Sequence, residues 1–307
     1  MKILTEQEMT ERICELRKEL NAVILTHNYQ LGEVQEIADF VGDSLELSIK
    51  ASKTAADVIV FCGVKFMAET AYILSPEKTV LLPAMESGCP MADMAEADDL
   101  VKMKKEHPGA MVVTYVNSSA EVKALSDICV TSANAVKIVA ALPEDREIIF
   151  VPDRNLGAYV QRETGRELIL WPGYCPTHMR ISREQLERRK GEYPDAEVMV
   201  HPESQLDVID LADEVCSTGG MLRYAASSGA KQIIAGTELG MIYRLAKENP
   251  DTQFIPVSEQ AVCPMMKMHR IETVLNAMER MIHQIEVPEE TRRKAEDPIR
   301  KMLELSS

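Results

Sequence analysis

Glu33-Val34-Gln35-Glu36-Ile37-Ala38-Asp39 is the stretch that decides the fold of this chain, because its pattern returns twice. Glu121-Val122 leads to Ser126-Asp127 and, in weaker form, Asp207-Val208 leads to Ala212-Asp213, with five residues from valine to aspartate each time. Five residues past these aspartates stand Ser44, Ser132 and Thr218. Twelve residues before them stand His27, Tyr115 and His201, and ten before them Tyr29, Asn117 and Glu203. Each copy then runs through an apolar strand, Val58-Ile59-Val60-Phe61, Ile148-Ile149-Phe150 or Ile233-Ile234-Ala235. A second strand follows, Val80 to Pro83, Leu168 to Pro172 or Phe254 to Pro256, and then a Cys-Pro pair, Cys89-Pro90, Cys175-Pro176 or Cys263-Pro264. The aspartates are 88 and 86 residues apart and the cysteines 86 and 88, so the chain is three copies of a unit of about 87 residues.

Short Val- and Ile-rich strands alternating with amphipathic helices predict parallel βαβ units with right-handed crossovers. The expected architecture is α/β: three pseudo-three-fold-related α/β/α domains with parallel sheets and an active site at their central interface. The units are placed at 21–108, 109–194 and 195–282. An N-terminal helix fills 1–20 and a helical extension 283–307. The N-terminal helix, about Thr5 to Leu20, and the helices after Arg270 are read as lying outside the repeat frame, and Pro288 to Ser307 as partly loose. Thr5-Glu6-Gln7-Glu8 and Ser182-Arg183-Glu184-Gln185 fit the capping box, in which side chains satisfy orphan backbone N–H groups at a helix start.

A chain of 307 residues exceeds the roughly 250–300 at which one core stops growing, which agrees with several packed units. Thirty-four Lys and Arg against 49 Asp and Glu leave a charge of −15, which repels nucleic-acid phosphates and anionic lipid. No apolar run approaches the ~20 residues of a membrane helix. Met1-Lys2-Ile3-Leu4-Thr5 runs into an acidic stretch without a signal core, and the reading is a cytoplasmic protein with no nucleic-acid or membrane partner. Seven cysteines without a secretion signal point to thiols rather than disulfides. Cys14, Cys62, Cys129 and Cys216 are read as buried small hydrophobes, His107, His269 and His283 as surface or structural, and the eighteen methionines as core filling.

In parallel sheets reactive groups gather beyond the carboxyl ends of the strands, where His27, Tyr29, Tyr115, Asn117, His201 and Glu203 fall. If those ends face a common axis, Cys89, Cys175 and Cys263 meet there too. Three thiolates from three equivalent loops fit a [4Fe–4S] cluster with one iron left open as a Lewis acid. Zinc is the nearest rival, although none of the three cysteines sits in a local Cys-x₂-Cys pair. Ser44, Ser132 and Thr218 suit helix N-caps, and a capped helix start also offers N–H groups to a carboxylate or phosphate. Alone, His27 or His201 would read as a structural histidine; in register beside Tyr29 and Glu203 each becomes a candidate for catalysis.

The strings His27-Asn28-Tyr29-Gln30, Val41-Gly42-Asp43-Ser44, Phe61 to Glu69, Tyr115-Val116-Asn117-Ser118, Cys129 to Asn134, Pro152 to Gly157, His201-Pro202-Glu203 and Ser217-Thr218-Gly219 resemble the quinolinate synthase family, in order, from about residue 20 to 285. The resemblance implies a [4Fe–4S] enzyme of NAD biosynthesis. Its reaction condenses iminoaspartate with dihydroxyacetone phosphate to give quinolinate, phosphate and two waters. It implies Cys89, Cys175 and Cys263 as cluster ligands, with His27, Tyr29, Ser44, Tyr115, Asn117, Ser132, His201, Glu203 and Thr218 lining the substrate cavity. Glu203 with His201 is expected as the general base, and Tyr29 with Tyr115 as orienting groups. An aspartate-oxidising enzyme is the expected functional partner. Many members have Cys at the position of Ser204 and Gly at that of Cys216; some carry Cys-x-x-Cys at the third ligand, where this chain reads Cys263-Pro264-Met265-Met266. The alternatives are another three-cysteine [4Fe–4S] enzyme, a reductive dehydroxylase or a diphthamide-synthesis-like enzyme, and a non-enzymatic iron–sulfur sensor or ligand-binding module.

Overall fold

A computed structural model of the chain describes residues 4–306. Met1–Ile3 and Ser307, the outer ends of the two expected extensions, lie outside the described residues. The architecture is α/β, with three separate four-stranded parallel sheets flanked by helices. The first sheet is built from β1 (Ala22–His27), β2 (Phe40–Gly42), β3 (Val58–Cys62) and β4 (Thr79–Leu81). The second takes β5 (Met111–Tyr115), β6 (Ile128–Val130), β7 (Ile148–Val151) and β8 (Ile169–Leu170), and the third β9 (Glu197–Val200), β10 (Glu214–Val215), β11 (Gln232–Gly236) and β12 (Gln253–Pro256). Every sheet has the same order, second strand, first, third, fourth.

The repeated aspartate now has a physical cause. Asp39, Asp127 and Asp213 each accept the backbone N–H of a residue in the first strand of their own sheet, Ile24 at 2.8 Å, Val112 at 2.7 Å and Val198 at 2.8 Å. The carboxylate thereby closes the turn that brings the second strand alongside the first. The paired valines Val34, Val122 and Val208 are fully buried beneath it.

Side chains alternate between the faces of each strand, and the alternation sorts the core into layers. Leu25, Ile59, Phe61, Val113, Phe150, Met199 and Ile233 point into one apolar core shared by all three sheets. Their neighbours point outward into three smaller cores: Ile24, Val58 and Val60; Val112, Ile149 and Val151; Val198, Val200 and Ile234. Burial of each such side chain stabilises the fold by roughly 1.5–3 kcal/mol. Because the strands are buried on both faces, they read as nearly unbroken apolar runs.

The outer cores are roofed by helices that begin eight residues after each Cys-Pro cysteine: Ala97–Glu106, Arg183–Glu192 and Ile271–Arg280. The first covers the second sheet through Leu100 and the second covers the third sheet through Leu186. Ile271–Arg280 returns to the first sheet through Ile271, Val274 and Met278, beside Met9, Ile13 and Leu16 of the N-terminal helix Glu6–Glu19. It is therefore the third copy of a repeated element and closes the ring, where the sequence reading left it outside the frame. The capping boxes at Thr5 and Ser182 are both formed.

The expectation of a loose C-terminal stretch is corrected. Glu289–Leu305 is one helix whose Ala295, Ile299 and Met302 are buried in the shared core. Its charged residues pair along the exposed side, Arg293 with Glu289 at 2.6 Å and Lys294 with Glu290 at 2.7 Å. Ser306 accepts a hydrogen bond from Asn134 Nδ2 at 2.8 Å, tying the chain end to the second sheet's turn. Among the described residues no helix is long and apolar enough to cross a membrane.

Candidate active site

The carboxyl ends of the three first strands meet at a cavity of about 220 Å³. His27 ends β1 and Tyr115 ends β5, while His201 directly follows β9; all three line the cavity, and so do Tyr29, Asn117 and Glu203 two residues further on. Ser44, Ser132 and Thr218 line it from the next turns, and Cys89, Cys175 and Cys263 from the Cys-Pro loops. The structure thus brings all twelve residues singled out in the sequence to one space.

None of the three hydroxyl residues takes the expected capping role: two of the helices are capped by other side chains and the third has no side-chain cap. Asp43 caps the helix Ser44–Lys53 and Ser217 caps Thr218–Ser228, so Ser44 and Thr218 are first helical residues instead. Asn134 precedes the short helix Ala135–Ala140, and Ser132 sits in the turn before it. Freed from capping, Ser44 and Ser132 can turn their hydroxyls to a ligand, while Thr218 accepts Asn28 Nδ2 at 2.8 Å. The two longer helices also direct the positive ends of their dipoles toward the cavity.

Glu203 is buried yet charged at neutral pH. Burial raises its carboxyl, but His178 and the Tyr115 hydrogen bond outweigh that and bring it below the ordinary carboxylate range. Tyr115 donates its hydroxyl to Oε1 at 2.5 Å, Asn117 Nδ2 donates to the same oxygen at 3.4 Å, and His178 Nδ1 lies 2.8 Å from Oε2. Burial holds Tyr115 and Tyr29 protonated, well above the usual phenol range. Tyr29 is fixed by Thr237, oxygen to oxygen 2.6 Å.

His27 and His201 are neutral, because burial lowers both to about 3. Each accepts on Nδ1 the backbone N–H two residues ahead, from Tyr29 at 3.1 Å and Glu203 at 3.3 Å. That bond leaves the ring proton on Nε2, so the two copies present neutral N–H donors rather than cations.

The three thiols also repeat one geometry. Each cysteine precedes a 3₁₀ turn, Ala92–Met94, His178–Arg180 or Met266–Met268, and accepts the backbone N–H of the residue three ahead, Ala92, His178 or Met266. Burial pushes Cys89 up to about 12 and raises Cys175 and Cys263 as well. The sulfurs are near enough to interact, Cys89 with Cys263 and Cys175 with Cys89. Three half-buried free thiols, each cradled by an N–H donor at one cavity wall, form a donor set that fits an iron–sulfur group, whose binding deprotonates its thiols outright.

Of the remaining cysteines, Cys62 and Cys129 are buried as expected and Cys216 is half-buried. Cys14 is exposed, a correction: it follows Ile13 on the helix Glu6–Glu19, whose core face is spaced Met9, Ile13, Leu16. His269 is structural, fully buried with Nε2 2.6 Å from the Gly63 carbonyl, His283 meets the Pro83 carbonyl, and His107 faces Glu147 at the surface.

Sequence reasoning passes over His178 and Glu238, which both line the cavity. His178 stacks on His201 with ring centroids 4.7 Å apart. Its Nδ1 lies 3.1 Å from Cys175 Sγ and its Nε2 3.1 Å from Thr237 Oγ1. A signal for it existed, a histidine at the third place past a Cys-Pro cysteine, where the other copies have Ala92 and Met266. Glu238 is fully buried and accepts the backbone N–H of Cys263 at 2.9 Å and of Gly240 at 2.7 Å. Lys267 balances its charge at 3.0 Å and also donates to the Tyr29 carbonyl, so this pair ties the third thiol's loop to the first sheet.

The family of quinolinate synthetase A proteins matches residues 11–304. The chain belongs to that family. It is 59% identical over 295 residues to a quinolinate synthase of Dehalococcoides mccartyi strain CBDB1, covering 96% of this chain and 97% of that protein. It is 55% identical over 293 residues to the quinolinate synthase of Geobacter metallireducens (95% and 96% covered), and 53% identical over 298 residues to that of Thermodesulfovibrio yellowstonii (97% and 98%). As a member of the quinolinate synthetase A family the protein is an enzyme, and the cavity is its candidate active site.

Proposed function

We propose that this enzyme is a quinolinate synthase of NAD biosynthesis, condensing iminoaspartate with dihydroxyacetone phosphate to quinolinate, phosphate and two waters. The observation that carries the reading is the meeting of Cys89, Cys175 and Cys263 at the cavity that also holds the charged Glu203. The three cysteines would hold a [4Fe–4S] cluster, which when bound supplies a Lewis-acidic iron for an oxygen of the substrate. The three repeats, 21–108, 109–194 and 195–282, would be the folding units, with 1–20 and 283–307 as their extensions. The site of action would be the cytoplasm, with an aspartate-oxidising enzyme supplying the unstable imine.

The substrates are anionic, and the cavity receives them with neutral donors. Ser44, Ser132 and Thr218, the amide of Asn117, and the Nε2–H groups of His27 and His201 would bind their carboxylates and phosphate, helped by the two helix starts. Ring formation requires proton removal next to a carbonyl. Glu203, ionised and held by Tyr115 and His178, would take that proton on a carboxylate oxygen and return it to a departing hydroxyl. Tyr29, fixed by Thr237, would orient the condensed chain and exclude water.

The test is anaerobic purification with iron and sulfide counts and a quinolinate assay, on the wild type and on Cys89→Ala, Cys175→Ala and Cys263→Ala. The expected result is about four irons and four sulfides per chain, lost with activity in each variant. A colourless wild type that makes no quinolinate would overturn the reading.

A further inference from the structure

The three Cys-Pro turns are alike in backbone but not in chelating power. Only the second places a metal-binding side chain over its own thiol. Cys175 Sγ, His178 Nδ1 and a Glu203 carboxylate oxygen all lie within 4.8 Å of one another. Two of the separations are 3.1 Å, from Nδ1 to the sulfur, and 2.8 Å, from Nδ1 to Oε2. Tetrahedral zinc, with bonds of about 2.0–2.3 Å, sets such pairs about 3.6 and 3.3 Å apart. Each pair therefore has to spread by only about half an ångström to admit the ion.

The outer partners are already in place. Thr237 Oγ1, 3.1 Å from His178 Nε2, can hold the ring proton there and free the Nδ1 lone pair. Tyr115 holds Glu203 by the oxygen that faces away from His178. The sulfur keeps the N–H of His178. Thiolate, imidazole and carboxylate make a donor set suited to zinc rather than to magnesium or calcium. The cavity that all three residues line offers the fourth position to water. At the other two turns Ala92 and Met266 stand where His178 does, so a single ion has one choice of turn.

We propose that the cluster-free chain binds one zinc-class divalent ion on Cys175 Sγ, His178 Nδ1 and Glu203. On binding, lone pairs of the sulfur, of Nδ1 and of the carboxylate oxygen form the metal bonds, and the thiol proton and the proton that Nδ1 shares with Glu203 leave to solvent, with the remaining ring proton on Nε2 toward Thr237; nothing is oxidised or reduced. An ion so held occupies one of the three thiolates assigned to the cluster, so zinc would compete with cluster assembly. That consequence rests on the reading above; the site itself does not.

The experiment uses the full chain, stripped of iron by a chelator under anaerobic reducing conditions and titrated with zinc chloride against a chromogenic chelator. One zinc per chain is expected. Cys89→Ala and Cys263→Ala should leave that affinity unchanged, Thr237→Val should weaken it about 10- to 100-fold, and His178→Ala should weaken it further still. Cobalt(II) in place of zinc should give the visible spectrum of a four-coordinate ion with one thiolate. The inference is overturned by no uptake, by affinity that survives His178→Ala, or by equal dependence on all three cysteines with a three-thiolate cobalt spectrum. Thr237→Val keeps the test decisive should His178→Ala fail to fold. Iron uptake is measured on a separate zinc-free sample, so a failure of the cluster reading appears there and leaves the zinc result standing.

Discussion

The outer layer and the cavity rim are built from the same three copies, yet they treat the repeat in opposite ways. In the outer layer Asp39, Asp127 and Asp213 do one job with one geometry, and Val34, Val122 and Val208 fill one kind of space. At the rim the equivalent positions hold His27, Tyr115 and His201, then Tyr29, Asn117 and Glu203. The strand ends are interchangeable as scaffold and distinct as chemistry. The comparison teaches that the fold needs three-fold repetition while the site needs its breakdown. Three identical rims would offer three carboxylates or three imidazoles, and no ordered pairing of one carboxylate with its hydrogen-bond donors.

The sharpest way to break this contrast is at Glu203. Glu203→Gln removes a carboxylate present in one copy only, and turnover is expected to fall by about 10²- to 10⁴-fold while the iron content stays at the wild-type value. Steady-state rates with iron counts decide it; retained turnover would refute the role proposed for Glu203.

A second expectation concerns pH. Burial keeps His27 and His201 at about 3 and His269 at about 4, below the ordinary 6.5 or so. Between those values the unfolded chain binds more protons than the folded one. Stability is therefore full above pH 6.5 and declines as pH falls, by at most about 1.4 kcal/mol per pH unit per histidine. Urea unfolding at pH 7.5, 6 and 5 should show midpoints falling in that order. A flat series would mean that these histidines take up protons in the fold as readily as in the unfolded chain.

The outer layer predicts smaller and equal effects. Asp127→Ala and Asp213→Ala each leave a strand N–H without its acceptor and should cost about 1–3 kcal/mol, read as matching shifts in denaturation midpoint. Asp39→Ala should cost at least as much, since Asp39 also pairs with Arg17. A wide spread between Asp127→Ala and Asp213→Ala would break the claim that the outer copies are equivalent. The smallest change is expected at Cys14→Ser, an exposed position away from either region, within about 0.5 kcal/mol of wild type.

Much of the site was legible beforehand because its residues sit at fixed offsets from a repeated strand. Counting from Asp39, Asp127 and Asp213 reaches every rim residue, and the Cys-Pro pairs mark the loops. The ring closure by Ile271–Arg280 was less visible, since a helix eight residues past Cys263 has no following strand of its own to announce it. Pro288 to Ser307 misled for a different reason. Its charge density reads as loose, while its fold rests on three apolar side chains, Ala295, Ile299 and Met302, that find a core made by distant residues. His178 stayed hidden because one histidine in one copy breaks the pattern that made the others visible.

By itself the sequence determined the three-fold α/β plan, the strand ends that line the cavity and the three cysteines that meet there. These are matters of period and spacing, which covalent geometry transmits along the chain. Only the tertiary structure decided that Glu203 is ionised, that His27 and His201 are neutral donors on Nε2, and that His178 bridges Cys175 to Glu203. Those properties depend on burial and on hydrogen-bond partners brought from different repeats. Residues 28 or 88 positions apart, as Glu203 is from Cys175 and Tyr115, meet only when separate sheets pack. Charge state and ligand geometry arise from that packing and have no local signature.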